Sequence, residues 1–152
     1  MEIYKLKHDI NGLIFKLETS LQLIKDELEE EDEILSICES SLNNLKTLLE
    51  LIFTIEKIKS GEYKLNLEEI SAGEFNHKNI EIQMEKIRVD RKLFKHTLEV
   101  LEKIPSGNLI IKNDEAIFKC NKPFSQIEKF YIDSIILILK MFEINTKVEI
   151  NE

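Results

Sequence analysis

The sequence predicts an α+β protein, with an N-terminal antiparallel helical hairpin followed by a small α+β unit. Apolar residues recur at spacings of three and four over about the first 60 positions, which is typical of amphipathic helices. Short runs of alternating polar and apolar residues come after residue 61, which is typical of strands. Apolar residues make up 43% of the 152 positions, so the chain can bury a core.

The first predicted helix covers about residues 2–29 and carries a narrow apolar seam of the kind that helix pairs and bundles bury. The acidic run DELEEEDE, residues 26–33, follows it. We interpret this run as a solvated turn that leads into the acid-rich first turn of a second helix. The first seam consists of Ile3, Leu6, Ile10, Leu13, Leu17, Leu21, Ile24 and Leu28.

The second predicted helix ends near Gly61, a plausible C-terminal cap. Two helices alone cannot cover stripes as wide as these. Residues 1–60 are therefore expected either to dimerise into a four-helix bundle or to be covered by the second half, and the dimer is the favoured interpretation. The second seam consists of Ile34, Cys38, Ser41, Leu45, Leu48, Ile52 and Ile55, widened by Ile37, Leu42, Leu49 and Ile58.

Residues 61–152 form the predicted α+β unit. The runs YKLNLEEI and NIEIQMEKIRVD predict strands, and residues 90–104 predict a helix stopped by the following proline. The segment SGNLIIKNDEAIFKCN predicts a β-hairpin that turns at Asn113–Asp114. A helix over about 125–143 and an edge strand at TKVEIN complete the unit.

Charge and composition exclude several classes of function. The net charge of −8 argues against nucleic acid binding. The N-terminus does not look like a signal peptide, and the apolar window 130–142 is too short and too charged to span a membrane. Cys38 and Cys120 have no metal-ligand spacing, and Cys38 is expected to be a buried free thiol in a reduced, cytoplasmic protein.

His8 is the most distinctive polar residue of the first helix. At about 100° per residue it lies roughly opposite the first seam, so we expect it to face outward, with Asp9 beside it. An exposed imidazole next to a carboxylate is a nitrogen nucleophile that can accept a phosphoryl group. Lys5 and Lys7 flank it and could steady the phosphoryl oxygens. The residues on or beside the same outward stripe are Asn11, Gly12, Phe15 and Thr19.

The alternative is that His8 is an ordinary exposed histidine. Two features of the stripe argue against it. Phe15 is an outward aromatic on an otherwise polar face, and exposed aromatics often mark docking sites. Gly12 costs about 1 kcal/mol in a helix interior relative to alanine, yet it clears space one turn from His8.

The segment HDINGLIFKLETSLQLI, followed by an acidic turn and a second amphipathic helix, resembles the H-box dimerisation domain of two-component histidine kinases. In this resemblance His8 matches the phosphorylated histidine and Asp9 the adjacent acid. Leu13 replaces the usual proline and Gly12 the usual polar residue, which in kinases supports dephosphorylation of the partner. The resemblance therefore gives no basis for expecting phosphatase activity.

The second half resembles a reduced histidine-kinase ATP domain, a small α/β sandwich, without its nucleotide motifs. The helix 90–104 has Glu99 and Val100 where the kinase asparagine is expected, and CNKPFSQIEKF lacks the glycines of a nucleotide loop. The chain is thus similar to the histidine phosphotransferases of the sporulation and cell-cycle phosphorelays. This resemblance implies no ATP binding and no nucleotide-binding residues.

The resemblance implies a cytoplasmic phosphorelay homodimer. A response-regulator receiver domain would dock near Lys5, Asn11, Gly12, Phe15 and Thr19 and pass its phosphoryl group to His8, whose ring Asp9 would orient. The receiver would supply Mg²⁺, so no cofactor of the chain's own is expected. Two alternatives remain. One is a non-catalytic protein of the same fold that binds and inhibits a kinase or a response regulator. The other is an ATP-using histidine kinase, which the glycine count disfavours.

The other two histidines give weaker signals. His77 lies in the polar segment FNHKN and is expected to be solvated, whereas His96 is expected to have a surface or interface role. The three histidines share no metal-binding spacing, and the acidic run lacks the pattern of a calcium loop. No metal site is expected.

Overall fold

The computed structural model divides the chain into two compact units, residues 1–63 and 64–152. Each unit is described separately. The first is a pair of helices, and the second combines two helices with two sheets. The residues that the structure describes are 2–30, 32–75, 77–121 and 124–151.

The first unit is an antiparallel hairpin of α1, Glu2–Glu27, and α2, Glu33–Lys59. The Asp32 carboxylate caps α2, accepting hydrogen bonds from the backbone N–H groups of Ile34 at 2.8 Å and Leu35 at 3.3 Å. At the other end of α2, Gly61 has φ +79°. Glycine enters this left-handed region without steric cost, which confirms the predicted helix end.

Two ion pairs between α1 and α2 show the register of the helices. Lys25 Nζ lies 3.5 Å from Glu39 Oε1, and Lys46 Nζ lies 3.1 Å from Glu18 Oε1. Moving along α1 toward its N-terminus therefore moves the contact along α2 toward its C-terminus. All four side chains are at least one-third exposed, so the pairs add little to the stability of the hairpin.

The contact between α1 and α2 uses the predicted seams only in part, since Leu42 of the second seam is buried whereas most members of the first seam are exposed. Ile14, which belongs to neither seam, is 5% exposed, and Leu35, also outside the seams, is 9% exposed. Cys38 was expected to be buried and is exposed in the single chain. The side chain of Ile3 lies outside the described residues. The exposed seam members are Leu6, Leu13, Leu17, Ile24, Leu28, Ile34, Ile37 and Leu45.

These eight exposed residues are called the apolar face below. Four of them lie on α1, Leu28 directly follows α1, and three lie on α2. Helical wheels oriented by the α1–α2 contact place the two groups on the same side of the hairpin. Periodicity thus identified a real stripe, but the stripe lies beside the helix–helix contact and not in it.

The second unit contains a two-stranded antiparallel sheet and a four-stranded sheet. The first consists of β1, Leu67–Ser71, and β3, Lys86–Asp90. The four-stranded sheet has the order β2-β4-β5-β6, with β2 parallel to β4, β4 antiparallel to β5, and β5 parallel to β6. Its strands are β2, Ile80–Ile82; β4, Gly107–Lys112; β5, Glu115–Cys120; and β6, Asn145–Ile150.

Two predictions for this sheet are confirmed. The β4–β5 hairpin turns at Asn113 and Asp114, where Asn113 adopts φ 57°, a conformation that asparagine tolerates better than most residues. The strand predicted at TKVEIN is β6, and it lies at the edge of the sheet.

Two helices accompany the sheets, α3, Arg91–Leu101, and α4, Gln126–Met141. The Ser125–Glu128 capping box begins α4, near the predicted helix start at about residue 125. By contrast, α3 ends before the predicted residue 104. The backbone N–H of Ile104 donates to the carbonyl of Leu101, three residues back, so the chain tightens into a turn before the proline is reached.

The core of the second unit lies between one face of the four-stranded sheet and the helices. Alternate residues of β4 and β5, such as Leu109, Ile111 and Phe118, are buried there. Phe94 of α3 is fully buried, with its ring 4.6 Å from that of Phe75 between centroids, in an edge-to-face arrangement. Among the described residues, no helix is long and apolar enough to cross a membrane.

Candidate functional site

His8 projects from α1 into solvent, with a side chain that is 90% exposed. The preceding residue, Lys7, faces α2, where its ammonium lies 5.8 Å from the centroid of the Phe53 ring. One residue further along a helix is rotated by about 100°, so His8 is carried away from the helix–helix contact. On the same wheel it lies opposite the apolar face.

Asp9 lies beside the His8 ring but makes no hydrogen bond to it. Its Oδ1 is 3.6 Å from His8 Nδ1, and the Asp9 side chain is itself 63% exposed. This distance exceeds that of a hydrogen bond, so the contact is electrostatic. The carboxylate can stabilise positive charge on the imidazole, whereas the predicted orienting role requires a shorter contact than this one.

The two lysines that flank His8 differ. Lys5 is exposed and remains available to an incoming group. Lys7 is half-buried, and burial lowers its pKa from the usual 10.5, with further lowering by the neighbouring Lys57. Because Lys7 is directed at α2, the sequence-based expectation that it steadies phosphoryl oxygens at His8 is not supported.

The residues expected to line a docking surface are exposed on the same stretch of α1. They include Phe15, a large apolar side chain that is 69% exposed. Thr19 is exposed, and its hydroxyl donates to the carbonyl of Phe15 at 2.8 Å, a bond within the helix. A Cβ built on Gly12 meets nothing within 4 Å, so this glycine leaves open space one turn from His8. Asn11 is exposed as well.

A groove adjoins this surface, between α1 and α2 on the side that carries Phe15. It encloses about 460 Å³. The α2 residues of this groove are not predictable from the sequence, because only the register of the hairpin determines which of them face Phe15. The residues that line the groove include Phe15, Thr19, Leu23, Leu42 and Asn43.

The prediction that His77 is solvated is wrong. Its side chain is 16% exposed, its Nε2 lies 2.8 Å from Glu102 Oε1, and its Nδ1 accepts a hydrogen bond from the backbone N–H of Asn79 at 3.2 Å. With Nδ1 accepting, Nε2 carries the proton and donates it to Glu102. This histidine joins the segment before β2 to the end of α3, a role that depends on tertiary contacts.

His96 lies on α3 with a side chain that is 20% exposed, and its Nδ1 lies 3.7 Å from Glu99 Oε2. Both His77 and His96 belong to the second unit, whereas His8 belongs to the first. Within the described parts of the chain, no group of three or more His, Cys, Asp or Glu residues could hold a metal ion.

Gly107, one of the two glycines of the second unit, has a packing role. A Cβ on this residue would collide with Cζ of Phe118 and lie 2.8 Å from its Cε2. Phe118 is itself buried, so the absence of a side chain at Gly107 lets the aromatic ring close the core. The packing of the core therefore accounts for a glycine at this position.

Comparison with known proteins adds no assignment. No protein-family model matches the chain, and neither the curated proteins nor the solved structures give a match.

Proposed function

We propose that this protein is a histidine phosphotransferase of a phosphorelay, which accepts a phosphoryl group on His8 from a receiver-domain aspartate and passes it to another. One observation carries the proposal. His8 is 90% exposed and lies on the side of the hairpin opposite the apolar face. A partner that covers the apolar face would leave His8 open.

The partner for the apolar face is a second copy of the chain, which gives a four-helix bundle. The eight residues of this face are each between 41% and 73% exposed in the single chain. Soluble proteins seldom leave so many large apolar side chains in one continuous patch, and the heptad-like spacing of the first seam suits packing against other helices. A two-fold bundle then presents one His8 on each side.

The transfer step follows from the arrangement at His8. Transfer requires the neutral imidazole tautomer with its proton on Nδ1, on the side of Asp9, and its lone pair on Nε2. Nε2 attacks the phosphorus of the aspartyl phosphate in line, an N–P bond forms, and the O–P bond breaks to release the receiver carboxylate. The positive charge that develops on the ring faces the Asp9 carboxylate. Mg²⁺ bound to the receiver would offset the negative charge of the phosphoryl oxygens.

The receiver domain docks on the groove side of α1. Phe15 and the groove beside it supply an apolar contact about two turns from His8, with Asn11 and Thr19 as polar neighbours. Lys5 lies within one turn of His8 in the N-terminal direction along α1. The same surface also suits the alternative, a non-catalytic protein that binds a kinase or a response regulator, because docking at Phe15 does not require chemistry at His8.

The experiment that separates these functions uses receiver domains carrying radiolabelled phosphoaspartate, in parallel with labelled ATP. We expect acid-labile label on the wild-type chain from a receiver and not from ATP. His8→Ala should abolish the label, while His96→Gln, which leaves His8 in place, should retain it. Receiver binding without label would establish the non-catalytic alternative, and label from ATP would establish a kinase.

A further inference from the structure

Strand β6, Asn145–Ile150, is a long free edge. It is the last strand of the four-stranded sheet, and in the part of the chain that the structure describes no strand pairs with its outer side. Val148 is 40% exposed and Ile150 is 47% exposed. The opposite edge, β2, is only three residues long. Short edges resist further pairing, whereas a six-residue edge such as β6 presents a template for another strand.

The hydrogen bonds to β5 show which backbone groups of β6 are directed outward. Asn145 N–H donates to the carbonyl of Asp114 at 2.9 Å, and Asn151 N–H donates to the carbonyl of Cys120 at 2.8 Å. In a parallel ladder, alternate residues direct their N–H and C=O groups to the same neighbour. The odd-numbered residues therefore bond to β5, and the outward groups belong to Thr146, Val148 and Ile150.

The side chains of β6 alternate between the two faces of the sheet. Val148 is in register with Phe118, whose side chain is buried, so Thr146, Val148 and Ile150 lie on the core face. Lys147 and Glu149 lie on the other face. The edge thus combines an incompletely covered apolar row with a separate pair of opposite charges.

We propose that β6 pairs antiparallel with β6 of a second copy about a two-fold axis at Val148, which joins the two four-stranded sheets into one. In this register Val148 lies opposite Val148 of the partner subunit, and Thr146 lies opposite Ile150 of the partner subunit. All three are hydrogen-bonded positions of an antiparallel ladder, which use the outward N–H and C=O groups of both strands.

The charge pattern selects a second copy as the occupant. In the same register Lys147 lies opposite Glu149 of the partner subunit, and the symmetry repeats the pair. These are non-hydrogen-bonded positions, where opposing Cα atoms are only about 4.5 Å apart and the side chains are closest. A lysine on an edge strand ordinarily discourages pairing, but here the strand supplies its own counter-charge two residues away.

The charges also select the register. A shift of the axis by one residue toward the N-terminus would place Lys147 opposite Lys147 of the partner subunit. The same shift toward the C-terminus would place Glu149 opposite Glu149 of the partner subunit. Like charges directly opposite each other destabilise a strand pair, so only the axis at Val148 matches opposite charges. This interface involves residues of the second unit alone and does not depend on the proposed function.

Disulfide trapping in the full chain tests the register. In the background Cys38→Ser, which removes the exposed thiol, Val148→Cys places two thiols across the axis with Cα atoms about 5.5 Å apart, within disulfide range. The matched control is Asn145→Cys, an exposed position at the start of the strand whose two copies would be about 20 Å apart. Mild oxidation should give a covalent dimer of the first variant and not of the second. Equal yields for the two would overturn the proposal.

Charge exchange tests the pairing itself. On the Cys38→Ser/Val148→Cys background, Lys147→Glu alone and Glu149→Lys alone should each reduce crosslinking, because each places like charges across the axis. A mixture of these two variants restores both opposite pairs and should recover the heterodimeric crosslink. Crosslinking of the single variants at the parental yield, or a mixture no better than either alone, would overturn the proposal. Far-ultraviolet circular dichroism confirms that each variant is folded.

Discussion

The ammonium of Lys7 lies 5.8 Å from the centroid of the Phe53 ring, across the contact between α1 and α2. This contact shows which side of α1 faces α2 near its N-terminus. Since adjacent residues of a helix differ by about 100°, a lysine that faces α2 carries the next residue, His8, away from it. The direction of Lys7 is therefore consistent with the exposure of His8, the candidate phosphoacceptor.

The first prediction concerns the charge of Lys7. Its lowered pKa means that the folded chain binds fewer protons than the unfolded chain below the usual 10.5, so stability rises as pH increases through this window. Lys57→Glu replaces a like charge by an opposite one and should raise the pKa of Lys7 and flatten the rise. Titration of the lysine ammonium groups by NMR measures the pKa of Lys7. Lys59→Glu is the control, since Lys59 is not among the groups that shift this pKa. An unchanged Lys7 titration would contradict this account.

The second prediction contrasts two glycines. Gly107→Ala should lower the free energy of unfolding by about 1–3 kcal/mol, because the new methyl group collides with the buried Phe118 ring. Gly12→Ala should raise it by about 0.5–1 kcal/mol, because Gly12 lies in an exposed helix with open space around it. Denaturant unfolding measures both, and effects of the same sign would refute the contrast.

The third prediction uses Cys38 to detect association through the apolar face. Cys38 is exposed in the single chain and belongs to the second seam, whereas Cys120 is buried. In a four-helix bundle the apolar face is covered, so alkylation of Cys38 should slow as the protein concentration rises. Leu17→Glu, which places a charge on the face, should abolish the slowing. A rate independent of concentration in the wild type would argue against the bundle.

The fourth prediction concerns the docking surface. Phe15→Ala should weaken receiver binding by about tenfold, as expected for an exposed aromatic anchor, without loss of helix content. Ile127→Ala is the matched control, since Ile127 is a large apolar residue of α4 that is 56% exposed. Calorimetric titration with a receiver domain gives both affinities. A larger effect at Ile127 would place the binding surface elsewhere.

Local signals predicted the elements well. Gly61 and Ser125 mark a helix end and a helix start where the structure has them. The β4–β5 turn needed only a short loop between two apolar runs, and Asn113 occupies it. These features depend on residues within a few positions of each other, so they can be read from sequence.

Tertiary features were not predictable in the same way. Periodicity located the apolar stripe of α1 but not the residue that α2 covers, Ile14, because which face a neighbour takes depends on the register of two helices. The sequence predicts a solvated His77, because nothing local indicates that Glu102, 25 residues away, contacts its ring. For His8 the helical wheel was sufficient to predict exposure, because the side of α1 that carries this residue is not covered by α2.

The order of strands in the four-stranded sheet has a kinetic consequence. Its central pair, β4 and β5, is joined by two residues, whereas β5 reaches β6 only through α4. Closing a short loop costs less chain entropy than closing a long one, and hairpins form in about 1–10 μs. Folding of the second unit should therefore begin at its central hairpin. Substitutions in β5 should slow folding, whereas those in β6 should mainly accelerate unfolding, so the free edge is completed last.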